Sequence, residues 1–188
     1  MVPYDELTYL GRIRRMRKLA RVALDAYGLG DARFKLVLQA GNTLFRVYDP
    51  SPDPCKTGNG LFEEGQYLLR IHYPPYQTAG AIELELAWLA SIRRDADLPV
   101  PEPVRTLDGR LFTKVSVAGI PGERDCSLLR WLKGRLLTRG VGPRHYRAQG
   151  RLMAQLHNHA AGWQPPPGLT KRHWDWAGFF DDVEGTHL

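Results

Sequence analysis

The chain has 188 residues, 43% of them hydrophobic and 24% charged, with a formal net charge of +6. That composition excludes a disordered chain, and no apolar run reaches the ~20 residues of a membrane span. The length suits one ordinary domain, or one domain and part of a second.

The opening MVPYDELTYLGRIRRMRK places acids where a secretory signal has bases, and no apolar core follows it. The two cysteines, Cys55 and Cys126, lie far apart in unlike contexts. They read as reduced thiols of a cytoplasmic protein, with a disulfide the lesser reading. Leu10, Ile13, Met16, Ala20, Ala23, Leu24 and Tyr27 recur every three or four residues until GLGD (28–31) stops the pattern, which predicts a helix. Arg12, Arg14, Arg15, Arg17, Lys18 and Arg21 on this segment account for the whole net charge. Such a helix can touch nucleic acid or an anionic membrane. The favoured reading is a surface helix that docks its apolar stripe and keeps its arginines in water. No aromatic platform or zinc spacing elsewhere supports nucleic-acid recognition.

RFKLVLQ (33–39) and TLFRVYD (43–49) then read as a hairpin turning through AGN (40–42). The Pro- and Gly-rich stretch 50–65 reads as a loop, and YLLRIH (67–72) as a strand. AIELELAWLASIRRD (81–95) is a helix of about four turns, with Thr78 as its cap. LPVPEP (98–103) is extended, because proline excludes the helical region before it. VRTLDGRLFTKVSV (104–117) is expected to be a second hairpin turning at Asp108–Gly109, and DCSLLRWL (125–132) a last strand. The stretch 143–163 reads as a helix with Tyr146, Leu152, Met153, Leu156 and Ala160 inward, ended by QPPPG. There is no internal repeat. The order predicts an α+β module: a mostly antiparallel sheet with one helix packed on it.

One residue in YLLRIH breaks the pattern. Tyr67, Leu69 and Ile71 point one way, and Leu68, Arg70 and His72 the other. A guanidinium among so much apolar surface needs an anion to offset its desolvation. On the 81–95 helix, Ile82, Leu84, Leu86, Trp88, Leu89 and Ile92 cover one arc with Glu85 near its middle, while Glu83, Ser91 and Arg94 lie away from it. Arg70 and Glu85 are therefore matched, with bidentate geometry expected. Patterning alone favours a plain clamp between helix and sheet. The functional reading has Glu85 aim the remaining donors of Arg70 at a phosphate.

A hairpin, a strand bearing a base, a helix bearing Glu and a strand running into LLRWLKG resemble the small lobe of a protein-kinase-like fold. The strings QAGNTLFRV, YLLRIH, ELAWLASIRRDADLPVPEP, RDCSLLRWLKGR and GRLMAQLHNHAAGW, in this order over about 33–180, resemble the aminoglycoside phosphotransferase or phosphotransferase enzyme family. The resemblance implies a basic N-terminal helical extension (1–31), a nucleotide-binding lobe (32–130) and a linker with the start of a helical lobe (131–188). It implies ATP as cofactor. Backbone N–H groups of Gly41, Asn42 and Thr43 would face its phosphates, and Arg70, held by Glu85, would anchor them where many relatives have lysine. Backbone around Arg130, Trp131 and Leu132 would meet the adenine edge.

In this family the catalytic Asp and the Mg²⁺ ligands lie on an H-x-D-x4-N loop and a later Asp of a larger lobe. His173 and Asp175 in HWDWAGFF imitate its beginning, but Phe180 stands where Asn belongs. His157 and His159 are poorly spaced for a metal pair, and Asp181, Asp182 and Glu184 read as a solvated cluster. No catalytic or metal residue is therefore assigned, and the expectation is a truncated kinase. Its partners would be a nucleotide and, in the complete enzyme, a small hydroxyl substrate such as an aminoglycoside, choline or homoserine. Self-association through the helix face of Leu152 and Leu156 is a further expectation. The alternatives are a non-catalytic nucleotide-binding or interaction module and, less favoured, a nucleic-acid binder.

Overall fold

The first hairpin turns on one residue. Ala40 pairs with Asn42, leaving Gly41 alone at the tip with φ 68°. Nothing lies within 4 Å of a Cβ built there, so an alanine would meet only the left-handed backbone penalty. Gly41→Ala is expected to cost about 1 kcal/mol in a urea melt. A neutral result would show that the turn relaxes to another form.

The structure is a computed structural model that describes residues 3–51, 60–74, 77–96, 98–135 and 137–169. In order it has α1 (Tyr9–Asp25), β1 (Arg33–Ala40), β2 (Asn42–Tyr48), β3 (Phe62–Ile71), α2 (Ala79–Asp95), β4 (Pro103–Val104), β5 (Phe112–Val115), β6 (Arg124–Leu132) and α3 (Pro143–Gly162). The sheet runs β1-β2-β3-β6-β4, with β5 also on β6, and every pairing is antiparallel. This is the expected kinase-like α+β lobe. Among the described residues no helix is long and apolar enough to cross a membrane.

The sheet carries a helix on each face. Thr8 caps α1 by accepting from Gly11 N at 3.2 Å. Met16, Leu19, Ala20, Ala23 and Leu24 then pack on Phe45, Val47, Leu69, Ile71, Cys126 and Leu128, the largest core of the lobe. Leu10, placed in that stripe from the sequence, is exposed because it lies at the rim of the arc. The basic face is tied to the chain's own backbone. Arg15 donates to Gly119 O, Arg17 to Phe34 O and Arg21 to Ala32 O. Arg17 and Arg21 also lie over the Phe34 ring. On the other face α2 is capped by Thr78, which accepts from Ala81 N, and Ile82 and Leu86 pack on Leu68 and Leu129. Ser91, expected outside the buried arc, is buried. It is tolerated there because its hydroxyl donates to Trp88 O one turn back.

The second hairpin takes a different form. Pro103 and Val104 pair with Leu129 and Leu128, and Phe112 to Val115 continue against Ser127 to Arg124. β4 and β5 thus lie end to end as one interrupted edge strand. The Asp108–Gly109 turn closes only the excursion between them, where Thr106 N donates to Arg110 O. Proline lacks a ladder donor and suits such an edge.

Helix α3 buries no residue fully. Leu152 and Leu156 reach the cluster of Ile92, Leu98 and Val100, so the face expected to be open is the one that packs. Tyr146 and Met153, expected inward, are exposed because α3 touches the lobe along one narrow stripe. His159 completes that stripe. Its Nδ1 accepts from Trp88 Nε1 at 3.2 Å, and its Nε2 faces Asp95 at 3.5 Å.

Candidate nucleotide-binding site

Strand parity assembles the site. β3 is central, and its Arg70 pairs with Leu44 on β2 and Ser127 on β6. Paired residues share a face, so Leu44, Arg46, Leu68, Arg70 and Leu129 belong to the α2 side of the sheet. Phe45, Leu69 and Ile71 face α1, as alternation in YLLRIH anticipates.

Arg70 meets Glu85 as expected, with Nη1 to Oε1 at 2.9 Å, but through one bond and not two. Glu85 remains one-third exposed on α2, whereas Arg70 is 15% exposed, so the carboxylate reaches only one edge of the guanidinium. Arg70 Nε and Nη2 are buried and have no partner among the described residues. Buried donors are rarely left without an acceptor, and two on one guanidinium suit a phosphate oxygen.

His72 lies two residues along on the same face and is 2% exposed. Its Nδ1 contacts Gln77 Oε1 at 2.7 Å and its Nε2 contacts Ser127 Oγ at 3.0 Å. Burial first, and the Arg70 charge second, lower its pKa to about 4. His72 is therefore neutral near pH 7, leaving Arg70 as the cation at this point of the sheet.

The tip residues divide. Asn42 Oδ1 accepts from Tyr73 N at 3.1 Å, which fastens the turn to the end of β3. Thr43 is not an open tip residue. It is paired with Gln39 and Ile71 in the ladder, and its buried side chain lies on the α1 face, away from Arg70.

At the other end of the face, Arg130 to Leu132 form the end of β6. Arg130 N donates to Glu102 O, and Lys133 N donates to Leu61 O. The second bond makes Phe62–Leu132 a non-hydrogen-bonded pair, so the N–H of Leu132 turns to the edge away from β3. Alternation puts the C=O of Arg130 on that same edge. A donor and an acceptor two residues apart match the polar edge of a base. The side chain of Arg130 is tied to Glu102 at 3.2 Å and lies over Phe62.

Trp131 is joined by a residue that pattern reading passed over. The Arg46 guanidinium lies 4.1 Å from the Trp131 ring centroid, and its Nε donates to Gln66 Oε1 at 2.9 Å. The signal was available: TLFRVYD carries a base inside a strand, as YLLRIH does.

This face offers a donor and acceptor edge at Arg130–Leu132, an apolar floor at Leu44 and Leu68, and two unmatched donors on Arg70, a set of groups that could hold a nucleotide. Among the described residues no group of three or more His, Cys, Asp or Glu gathers into a metal site. Cys55, His173, Asp175, Phe180, Asp181, Asp182 and Glu184 lie outside the described residues.

A sheet with this strand order, carrying an arginine anchored by a glutamate of the following helix, defines a kinase-like small lobe. Residues 58–184 match the phosphotransferase enzyme family, APH, and the chain belongs to that family. Among solved structures it is similar to a microcompartment-associated aminopropanol kinase, at 28% identity and a TM-score of 0.70 over 88% of this chain and 47% of that one. It is also similar in fold to the amicoumacin kinase hAmiN in complex with AMP-PNP, Ca²⁺ and Ami. There the identity is 15% and the TM-score 0.59, over 85% of this chain and 44% of that one. The chain spans about half the length of these two kinases. No curated protein gives a significant match.

Proposed function

We propose that this chain is the nucleotide-binding lobe of an ATP-dependent phosphotransferase that moves the γ-phosphoryl group to the hydroxyl of a small molecule. The observation that carries the reading is the half-satisfied Arg70, with one donor on Glu85 and two buried donors unmatched. Phosphoryl transfer depends mainly on positioning and charge stabilisation, and Arg70 supplies both to the phosphates. Gly41 and Asn42 close over them, while the Arg130 C=O and the Leu132 N–H read the base. The acceptor would bind in the half of the enzyme that this chain does not span. The aminopropanol kinase makes an amino alcohol the first acceptor to assay in a complete enzyme. The free, buried Cys126 thiol accords with a reducing, cytoplasmic setting.

The test is titration of the 188-residue chain with Mg-ATP, followed by calorimetry and tryptophan fluorescence. Binding heat and a change in Trp131 emission that disappears in Trp131→Phe are expected. Absence of heat at ATP concentrations well into the millimolar range would remove the nucleotide reading.

A further inference from the structure

On the α1 side of the first hairpin, opposite Arg70, lies a separate cavity of about 310 Å³. That volume is at the small end of ligand pockets. Tyr4, Tyr9 and Tyr73 give it aromatic walls, Arg12 and Asp5 bring charges, and Gly41 and Thr43 form the wall shared with the turn.

Its charge balance is not closed. Arg12 is half-buried and makes no ion pair with any described residue, whereas Asp5 is exposed to screening water. The Tyr4 hydroxyl feels two cations, Arg12 and Arg124, which oppose the rise that burial imposes on its pKa. Arg124 is 7% exposed; among the described residues its Nη1 donates to the carbonyls of Pro121 and Glu123 and its Nε has no partner. His72 borders the cavity, but its imidazole is held on the Arg70 face by Gln77 and Ser127 and is neutral near pH 7, so it adds no charge. A half-buried guanidinium with a second, buried one nearby and only an exposed carboxylate opposite makes the potential positive.

We infer that this cavity is a second ligand site for a small oxyanion, a phosphate or carboxylate on a compact ring or chain, held by Arg12 and flanked by the three tyrosines. The ligand stands on the back of Gly41 and Thr43 and braces the turn from the face opposite the nucleotide. The site does not depend on the nucleotide reading, because Arg70 and Glu85 take no part in it.

Thermal melts of the 188-residue chain with millimolar phenyl phosphate or benzoate test it, against sodium chloride of equal ionic strength. A rise in Tm of about 3 °C is expected for at least one anion near ten times its Kd. A rise with phenyl phosphate alone assigns the head group as phosphate, and one with benzoate alone assigns it as carboxylate. Arg12→Gln should abolish the rise, Arg12→Lys should keep part of it, and Arg70→Ala should leave it intact. No rise with either anion, a rise that survives Arg12→Gln, or one lost in Arg70→Ala overturns the inference.

Discussion

Acidification from pH 6.5 to about 4 is expected to cost this lobe roughly 3 kcal/mol through His72 alone. The folded pKa of His72 is lowered to about 4, by burial first and by Arg70 next. In the unfolded chain the same imidazole titrates near 6.5. Between those values the unfolded state holds a proton that the native state does not, so stability rises with pH across the window. The contribution is complete above pH 6.5 and is lost as pH falls toward 4. Protonation makes both ring nitrogens donors: Gln77 Oε1 accepts from Nδ1, Ser127 Oγ turns from donating to accepting, and the cost is the new charge itself, buried beside Arg70. Urea melts at pH 7 and pH 4.5 should show the loss, and His72→Gln should flatten it even if that variant starts less stable. Equal losses in the two proteins would show that His72 is not the titrating group.

Arg70→Ala is expected to weaken Mg-ATP binding ten- to a hundredfold, the worth of the charge-assisted bonds that Nε and Nη2 would make to phosphate. Arg70→Lys keeps the charge but loses the fork, and should recover most of that loss, since a point charge still reaches a phosphate. Glu85→Ala acts differently. It strands a cation that is 15% exposed, which lowers stability by about 2 kcal/mol. A fully buried pair would cost more; the one-third exposure of Glu85 lets water relieve part of the loss. If Arg70→Ala binds Mg-ATP as tightly as the parent, the pair is only a clamp between helix and sheet. If Glu85→Ala melts like the parent, the pair does not hold the lobe together.

Much of this lobe was legible because its signals are local. Alternation in YLLRIH separated the two faces of β3 correctly, since a strand's period of two admits no other assignment. The helical arc of α2 brought Glu85 to Arg70, and Thr78 capped that helix as its position suggested. Arg46 carries the same signal as Arg70, a base within a strand, but its partners, Gln66 and the Trp131 ring, come from other strands and are not a following helix's acid.

What was not legible depends on partners distant in the chain. VRTLDGRLFTKVSV has the alternation and turn of a hairpin, yet both halves lie along β6, and only the ladder decides that. Ser91 lies away from the apolar arc by periodicity, but Trp88 O offers its hydroxyl an acceptor within the helix. Thr43 reads as part of a turn until its pairing with Gln39 and Ile71 removes it to the other face.

By itself the sequence determined the element order, the two faces of β3 and the meeting of Arg70 with Glu85, because periodicity is set by bonded geometry. Only the tertiary structure decided that α1 and α2 cover opposite faces, that Glu85 satisfies one donor of Arg70 and leaves two, and that Arg12 lines a cavity without an ion pair among the described residues. Those outcomes turn on which surfaces meet and which donors find acceptors, and neither is fixed until distant segments pack.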